Sequence, residues 1–192
     1  IVDWSEELEL HLILDNHTPA VNASTDPQIG QVLIPVWTQM ATHFKGRSNR
    51  LYYEILNEPH GIADTTWNAI QQEVVAAIRT VDDRHTIVVG PAGWNSYRNL
   101  ELMPEYADDN LLYTFHFYDP FLFTHQGASW VTPSMAPVAD IPFPYDEARM
   151  PTVPTNLVGS WIGNAFTNYA SEGTVAHVEE LLDIAARFAR ER

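Results

Sequence analysis

Apolar residues along this chain recur with two periods, and the two alternate. Residues 8–14 form a short, mostly apolar run that stops at Asp15-Asn16-His17-Thr18-Pro19, which predicts a strand ending in polar groups. Val36, Trp37, Met40, Ala41 and Phe44 then recur at helical spacing. That spacing predicts a helix from near Pro35, a residue suited to a first turn, to about His43, closed by Gly46. A second strand is predicted from Leu51 to about Leu56, ending at Asn57-Glu58-Pro59. The clearest helix covers roughly residues 65–81, with Trp67, Ile70, Val74, Ile78 and Val81 on one face.

The alternation continues. Thr86 to Gly90 reads as a buried strand ending at Pro91-Ala92-Gly93-Trp94-Asn95, and Leu111 to Phe115 as another ending at His116-Phe117-Tyr118-Asp119-Pro120. Residues 131–156 carry six prolines and read as irregular. A final helix at about 174–190 sets Val178, Leu181, Leu182, Ala185, Phe188 and Ala189 on one stripe. Strand then helix, four times over, is the pattern of a parallel sheet with covering helices. An open doubly wound sheet concentrates its site at one switch point, whereas a (β/α)8 TIM barrel gathers every strand end at one face. All four predicted strands end in polar or aromatic residues, which favours the α/β barrel. Four βα units make about half of one, so the expectation is a partial barrel forming a single domain over residues 1–192.

Composition narrows the possible partners. Ten basic against 25 acidic side chains give a formal charge of −15 over 192 residues. That argues against nucleic acid, because phosphate binding needs clustered Lys and Arg. No run of about 18 apolar residues occurs, so no membrane span is expected, and the sequence shows no signal peptide. The absence of cysteine removes disulfides and thiolate metal sites.

The strand ends supply Asp15, His17, Asn57, Glu58, Trp94, Asn95, His116, Tyr118 and Asp119. Lysine and arginine are missing from that set. Amide and imidazole hydrogen-bonders beside flat aromatic faces suit a sugar, whose hydroxyls want polar partners and whose ring faces stack on Trp and Tyr. Cleaving a glycosidic bond needs two carboxyl groups, one to protonate the leaving oxygen and one to attack or to activate water. Glu58 suits the proton donor, at a strand end among aromatic residues that partly shield it from water. Neighbouring residues of a strand point to opposite faces, so Asn57 and Glu58 share a site only if the strand bends or ends there, as Pro59 suggests. Asp15, His17, His116, Asp119 and His125 include acceptable metal ligands, but no His-x-x-x-His or comparable spacing occurs, so neither metal nor cofactor is expected. Glu54 is expected to have a structural hydrogen-bonding role, His85 and His125 to lie on the surface or in loops, and Trp37, Trp67 and Phe188 to pack on helix faces.

The segments Leu14-Asp15-Asn16-His17, Tyr53-Glu54-Ile55-Leu56-Asn57-Glu58-Pro59 and Tyr113-Thr114-Phe115-His116-Phe117-Tyr118-Asp119-Pro120 together resemble glycoside hydrolase family 5, the cellulase-type retaining β-glycosidases. The stretch from Phe121 to Trp130 resembles bacterial members as well. The resemblance implies barrel strands three to six within residues 8–115, with Glu58 as general acid/base and Asn57 bound to the sugar beside the cleaved bond. His17, His116 and Tyr118 would line that subsite, and Trp94 and Trp130 would be stacking platforms. It also implies a nucleophilic glutamate outside this sequence, with the missing strands supplied by the rest of the chain or by another subunit. The expected partner is a β-linked oligo- or polysaccharide (cellulose, mixed-linkage glucan, mannan and xyloglucan all remaining open), and the expected location is secreted or periplasmic. The reading from another class is a glycan-binding or degenerate half barrel that does no catalysis.

Overall fold

The computed structural model describes residues 1–18 and 24–192; Pro19, the last residue of the first predicted strand end, lies outside them. The chain divides into two compact units, Ile1–His116 and Phe117–Arg192.

The first unit is built on one parallel sheet. Its strands are β1 (Leu12–Asp15), β2 (Leu51–Glu54), β3 (Thr86–Val89) and β4 (Leu111–Tyr113). They lie side by side in chain order, every neighbouring pair parallel. A doubly wound sheet reverses its order at the switch point; this one advances in a single direction, as a barrel wall does. The register puts Leu14, Tyr53, Ile87 and Leu111 in one row across the four strands. Two long helices cover the sheet, α2 (Gly30–Phe44) and α3 (Asp64–Arg79). Leu33, Trp37 and Ala41 of α2 and Trp67, Ile70, Val74 and Ile78 of α3 bury the core-facing stripe together with Leu51, Tyr53, Ile55 and Ile87. Both buried tryptophans also hold strand ends. Trp37 Nε1–H donates to the Ile55 carbonyl at 3.0 Å, and Trp67 Nε1–H donates to the Gly90 carbonyl at 2.9 Å.

Several sequence expectations need correction. Residues 8–11 are not strand; β1 starts at Leu12, after a short helix α1 (Val2–Glu7) that hydrophobic periodicity does not announce. Its place is fixed by charge, since Arg47 pairs with Asp3 and with Glu6. Helix α2 begins at Gly30, so Pro35 lies inside it rather than in the first turn, and Val36 is exposed instead of facing the core. Proline there has no N–H for the Gln31 carbonyl, one lost bond that the packed face of Leu33, Trp37 and Ala41 outweighs. His85 is no surface residue. It is fully buried, its Nδ1 2.6 Å from Asp82 Oδ2 and its Nε2 3.0 Å from the Ser48 carbonyl, and the Tyr53 hydroxyl donates to the same Asp82 oxygen at 2.9 Å. Burial pushes the Asp82 carboxyl up, but the backbone N–H groups of Arg84 and His85, the Tyr53 hydroxyl and the His85 ring outweigh it and hold it below the ordinary value.

The second unit holds helices α5 (Phe121–Thr124), α6 (Trp161–Glu172) and α7 (Val175–Glu191). The short turn α4 (Ala92–Asn95) belongs to the first unit. Ser160 caps α6 through Oγ, which accepts from the Gly163 N–H, and Thr174 caps α7 by accepting from the His177 N–H. The proline-rich stretch is irregular as expected, with short 3-10 turns at Glu147–Arg149 and, at its end, Thr155–Leu157. Its Met135, Val138 and Ile141 join Leu122, Leu157, Ile162 and Tyr169 in the core, and the Tyr169 hydroxyl donates to the Pro142 carbonyl at 2.9 Å. Of the predicted stripe on the last helix, Leu181 and Phe188 are buried while Leu182 is exposed.

Candidate active site

Strand β2 ends before its chemistry begins. Its ladder stops at Glu54, with one last link from Ile55 N–H to the Val88 carbonyl at 3.5 Å. Asn57 and Glu58 therefore escape the strict alternation of a strand, which is what sharing a site requires. Asn57 N–H donates to the Asn16 carbonyl at 3.0 Å, tying this end to that of β1.

Two short hydrogen-bonded chains meet here. In the first, His17 Nδ1 lies 2.9 Å from Asp15 Oδ2, and His17 Nε2 lies 3.4 Å from Asn57 Nδ2. A carboxylate on Nδ1 fixes the proton there, so Nε2 accepts from the Asn57 amide. That leaves Asn57 Oδ1 and its second amide hydrogen for a ligand hydroxyl. In the second, His116 Nδ1 lies 2.6 Å from Glu58 Oε1, with both side chains about three-quarters shielded from water. The imidazole binds one carboxylate oxygen and leaves the other for a reacting proton.

Residues of the β3 end lock these parts together. In the short turn α4, Gly93, Trp94 and Asn95 all have positive φ, at 70°, 61° and 58°. Asn95 is fully buried and joins its two neighbours: its Nδ2–H donates to the Asn57 carbonyl at 3.2 Å, and its own carbonyl accepts from His116 N–H at 2.7 Å. Only a glycine at 90 leaves room for that amide, since a Cβ there would stand 2.0 Å from Asn95 Oδ1. Trp94 N–H donates to the Pro59 carbonyl at 3.0 Å, and its indole stacks on His60 with ring centres 4.6 Å apart. At 54% exposure, the indole face turned away from His60 is open. His60 is buried, and its Nδ1–H donates to the Glu58 carbonyl at 2.8 Å.

The structure thus brings His17, Asn57, Glu58, Trp94 and His116 into one constellation in the first unit. Tyr118 and Trp130 belong to the second unit, where both are exposed, Trp130 at 64%; the Tyr118 ring meets His125 edge-on at 5.2 Å. Glu54 sits close by with Asp15, His17 and His116. Burial pushes its carboxyl above the ordinary range, the charge of Asp15 adds to this, and the two histidines oppose it. Sequence reasoning missed His60 and the clamp role of Asn95. The only sequence signal for Asn95 was its place at a strand end, and for His60 its adjacency to Pro59. Among the described residues, no group of three or more His, Asp or Glu is placed to hold a metal ion.

The family model for cellulase, glycosyl hydrolase family 5, matches residues 1–181. The chain belongs to that family. Endoglucanase 3 of Fibrobacter succinogenes is 32% identical to this family 5 chain over 202 aligned residues, covering 98% of the chain and 30% of the relative. Cel5A of Thermotoga maritima in complex with cellobiose superposes with a TM-score of 0.64 at 33% identity, over 69% of this chain and 44% of that one. The same protein in complex with mannotriose gives 0.75 at 25% identity, over 99% and 54%. The chain therefore spans between 30% and 54% of the length of these three. Family 5 structures are (β/α)8 barrels, and the four parallel strands in chain order make this chain part of one.

Proposed function

We propose that this family 5 chain carries the acid/base side of a retaining β-glycosidase site that cuts a β-linked glucan or related polysaccharide. The observation that supports it most is the Glu58 carboxyl, held through one oxygen by His116 at 2.6 Å beside an Asn57 amide oriented by His17. Glu58 protonates the leaving glycosidic oxygen and then takes a proton from the water that releases the sugar. Asn57 and His17 bind hydroxyls of the sugar next to the cleaved bond, and the indole of Trp94 stacks on a sugar face. The attacking carboxylate and the remaining barrel strands come from outside these 192 residues, in the rest of the protein or in another subunit. Relatives described as endoglucanases and a neighbour bound to cellobiose support glucan as the substrate, while the mannotriose complex keeps mannan in view. A polymer too large to cross a membrane is cut outside it, which supports a secreted or periplasmic location; no described helix is long and apolar enough to cross a membrane.

The test is Glu58→Gln in the full-length protein, assayed on a β-glucan and on a dinitrophenyl β-cellobioside. A dinitrophenolate departs without a proton, so the variant should keep a burst of released phenol while glucan turnover falls about 10²–10⁴-fold. Unchanged glucan turnover would sink the assignment.

A further inference from the structure

We infer that His60 is a positioning residue that couples the sugar platform to the acid/base, a role resting on the reading of Trp94 and Glu58 given above. Its two halves do different jobs. The ring face stacks on Trp94, nearly parallel at 10° with centres 4.6 Å apart. The ring edge donates Nδ1–H to the Glu58 carbonyl at 2.8 Å, and a carbonyl can only accept, so the proton is on Nδ1.

Both contacts are made by a side chain with almost no freedom. His60 is 6% exposed, and its backbone is pinned on both sides to Thr25: His60 N–H donates to Thr25 Oγ1 at 3.0 Å, and the His60 carbonyl accepts from Thr25 N–H at 2.8 Å. Trp94 is held at positive φ, with its N–H bound to the Pro59 carbonyl between Glu58 and His60. Residues 58, 59, 60 and 94 therefore form a closed loop of contacts. A sugar pressing on the open face of the indole pushes against His60, whose edge sets the height of the Glu58 backbone. Besides the Trp94 N–H bond to the Pro59 carbonyl, one imidazole sets the distance between platform and proton donor.

The two contacts can be removed separately. Phe at position 60 keeps a flat ring under the indole and loses the donor. Asn places Nδ2 at the same number of bonds from Cβ as His Nδ1, so it keeps the donor and loses the stack. In the full-length protein on cellotetraose, His60→Phe should lower kcat roughly 10-fold, the scale of one buried hydrogen bond, and leave KM within about 2-fold. His60→Asn should raise KM roughly 5-fold, the scale of one lost ring contact, and leave kcat within about 2-fold. Thermal melts of both variants check that they fold. The inference is overturned if both variants match the parent, or if both move kcat and KM together. Glu58→Gln and Trp94→Ala measured alongside separate the layers. If Trp94→Ala leaves KM unchanged or Glu58→Gln leaves kcat unchanged, the platform or acid/base reading fails, and the coupling fails with it. If both controls behave as expected and the His60 pair does not split, the coupling alone is wrong.

Discussion

Gly90→Ala tests how the site is held. A methyl group at 90 would stand 2.0 Å from Asn95 Oδ1, 2.7 Å from its Cγ and 2.8 Å from its Nδ2, so the whole amide must move. Asn95 is fully buried on a left-handed backbone. Forcing one methyl group into such packing costs about 1–3 kcal/mol. Losing the Asn95 hydrogen bond to the Asn57 carbonyl adds about 1 kcal/mol. The expected loss is about 2–4 kcal/mol, read as a shift of the urea midpoint at unchanged slope. Activity should fall as well, because Asn57 and His116 are the two residues Asn95 joins. The control is Asn95→Gly, which tolerates the positive φ. It gives up the same bond but also removes a buried Oδ1 that has no partner among the described residues, so its cost should be smaller, about 1 kcal/mol. In the double variant the clash is gone and the shared bond is lost only once, so the combined loss should fall short of the sum by about 2–4 kcal/mol. Strict additivity would refute the steric argument.

Two further predictions concern pH. The Asp82 carboxyl is held below its ordinary value, so the stability it contributes is present above the unfolded pKa, about 4, and is lost as pH falls through the lower folded value. Asp82→Asn should remove that acid-side loss, and because it breaks a buried pair with His85 it should cost about 3–5 kcal/mol at neutral pH; denaturation from pH 2 to 7 checks both. Glu54 is shifted the other way, so its contribution is present below the unfolded pKa and lost as pH rises through the folded one. Glu54→Gln should therefore raise stability at pH 7 relative to pH 4, and an unchanged pH slope would count against the burial argument.

Much of the first unit was legible because its elements declare themselves locally. The four strands and the faces of α3 follow from periodicity, and Asn57-Glu58-Pro59 fell at a strand end, where the site assembles. What escaped depends on contacts between distant segments. The start of α1 is set by Arg47, the depth of His85 by Ser48 and Asp82, and the value of Asn95 by an empty volume at Gly90. His60 shows the same limit: its place after Pro59 is visible, but its stacking partner is Trp94, which no local pattern could name. Helix α6 was hidden by its mixed composition and by the prolines before it, although Ser160 at its start was a readable cap.

The buried Tyr53–Asp82–His85 group sits where β3 begins, while Glu58 lies past the end of β2. Asp82 and His85 are fully buried there, where dissolved salt screens charge much less than it does at the surface. Ionic strength that loosens the exposed pair of Arg47 with Asp3 therefore leaves this tie between β2 and β3 nearly unchanged.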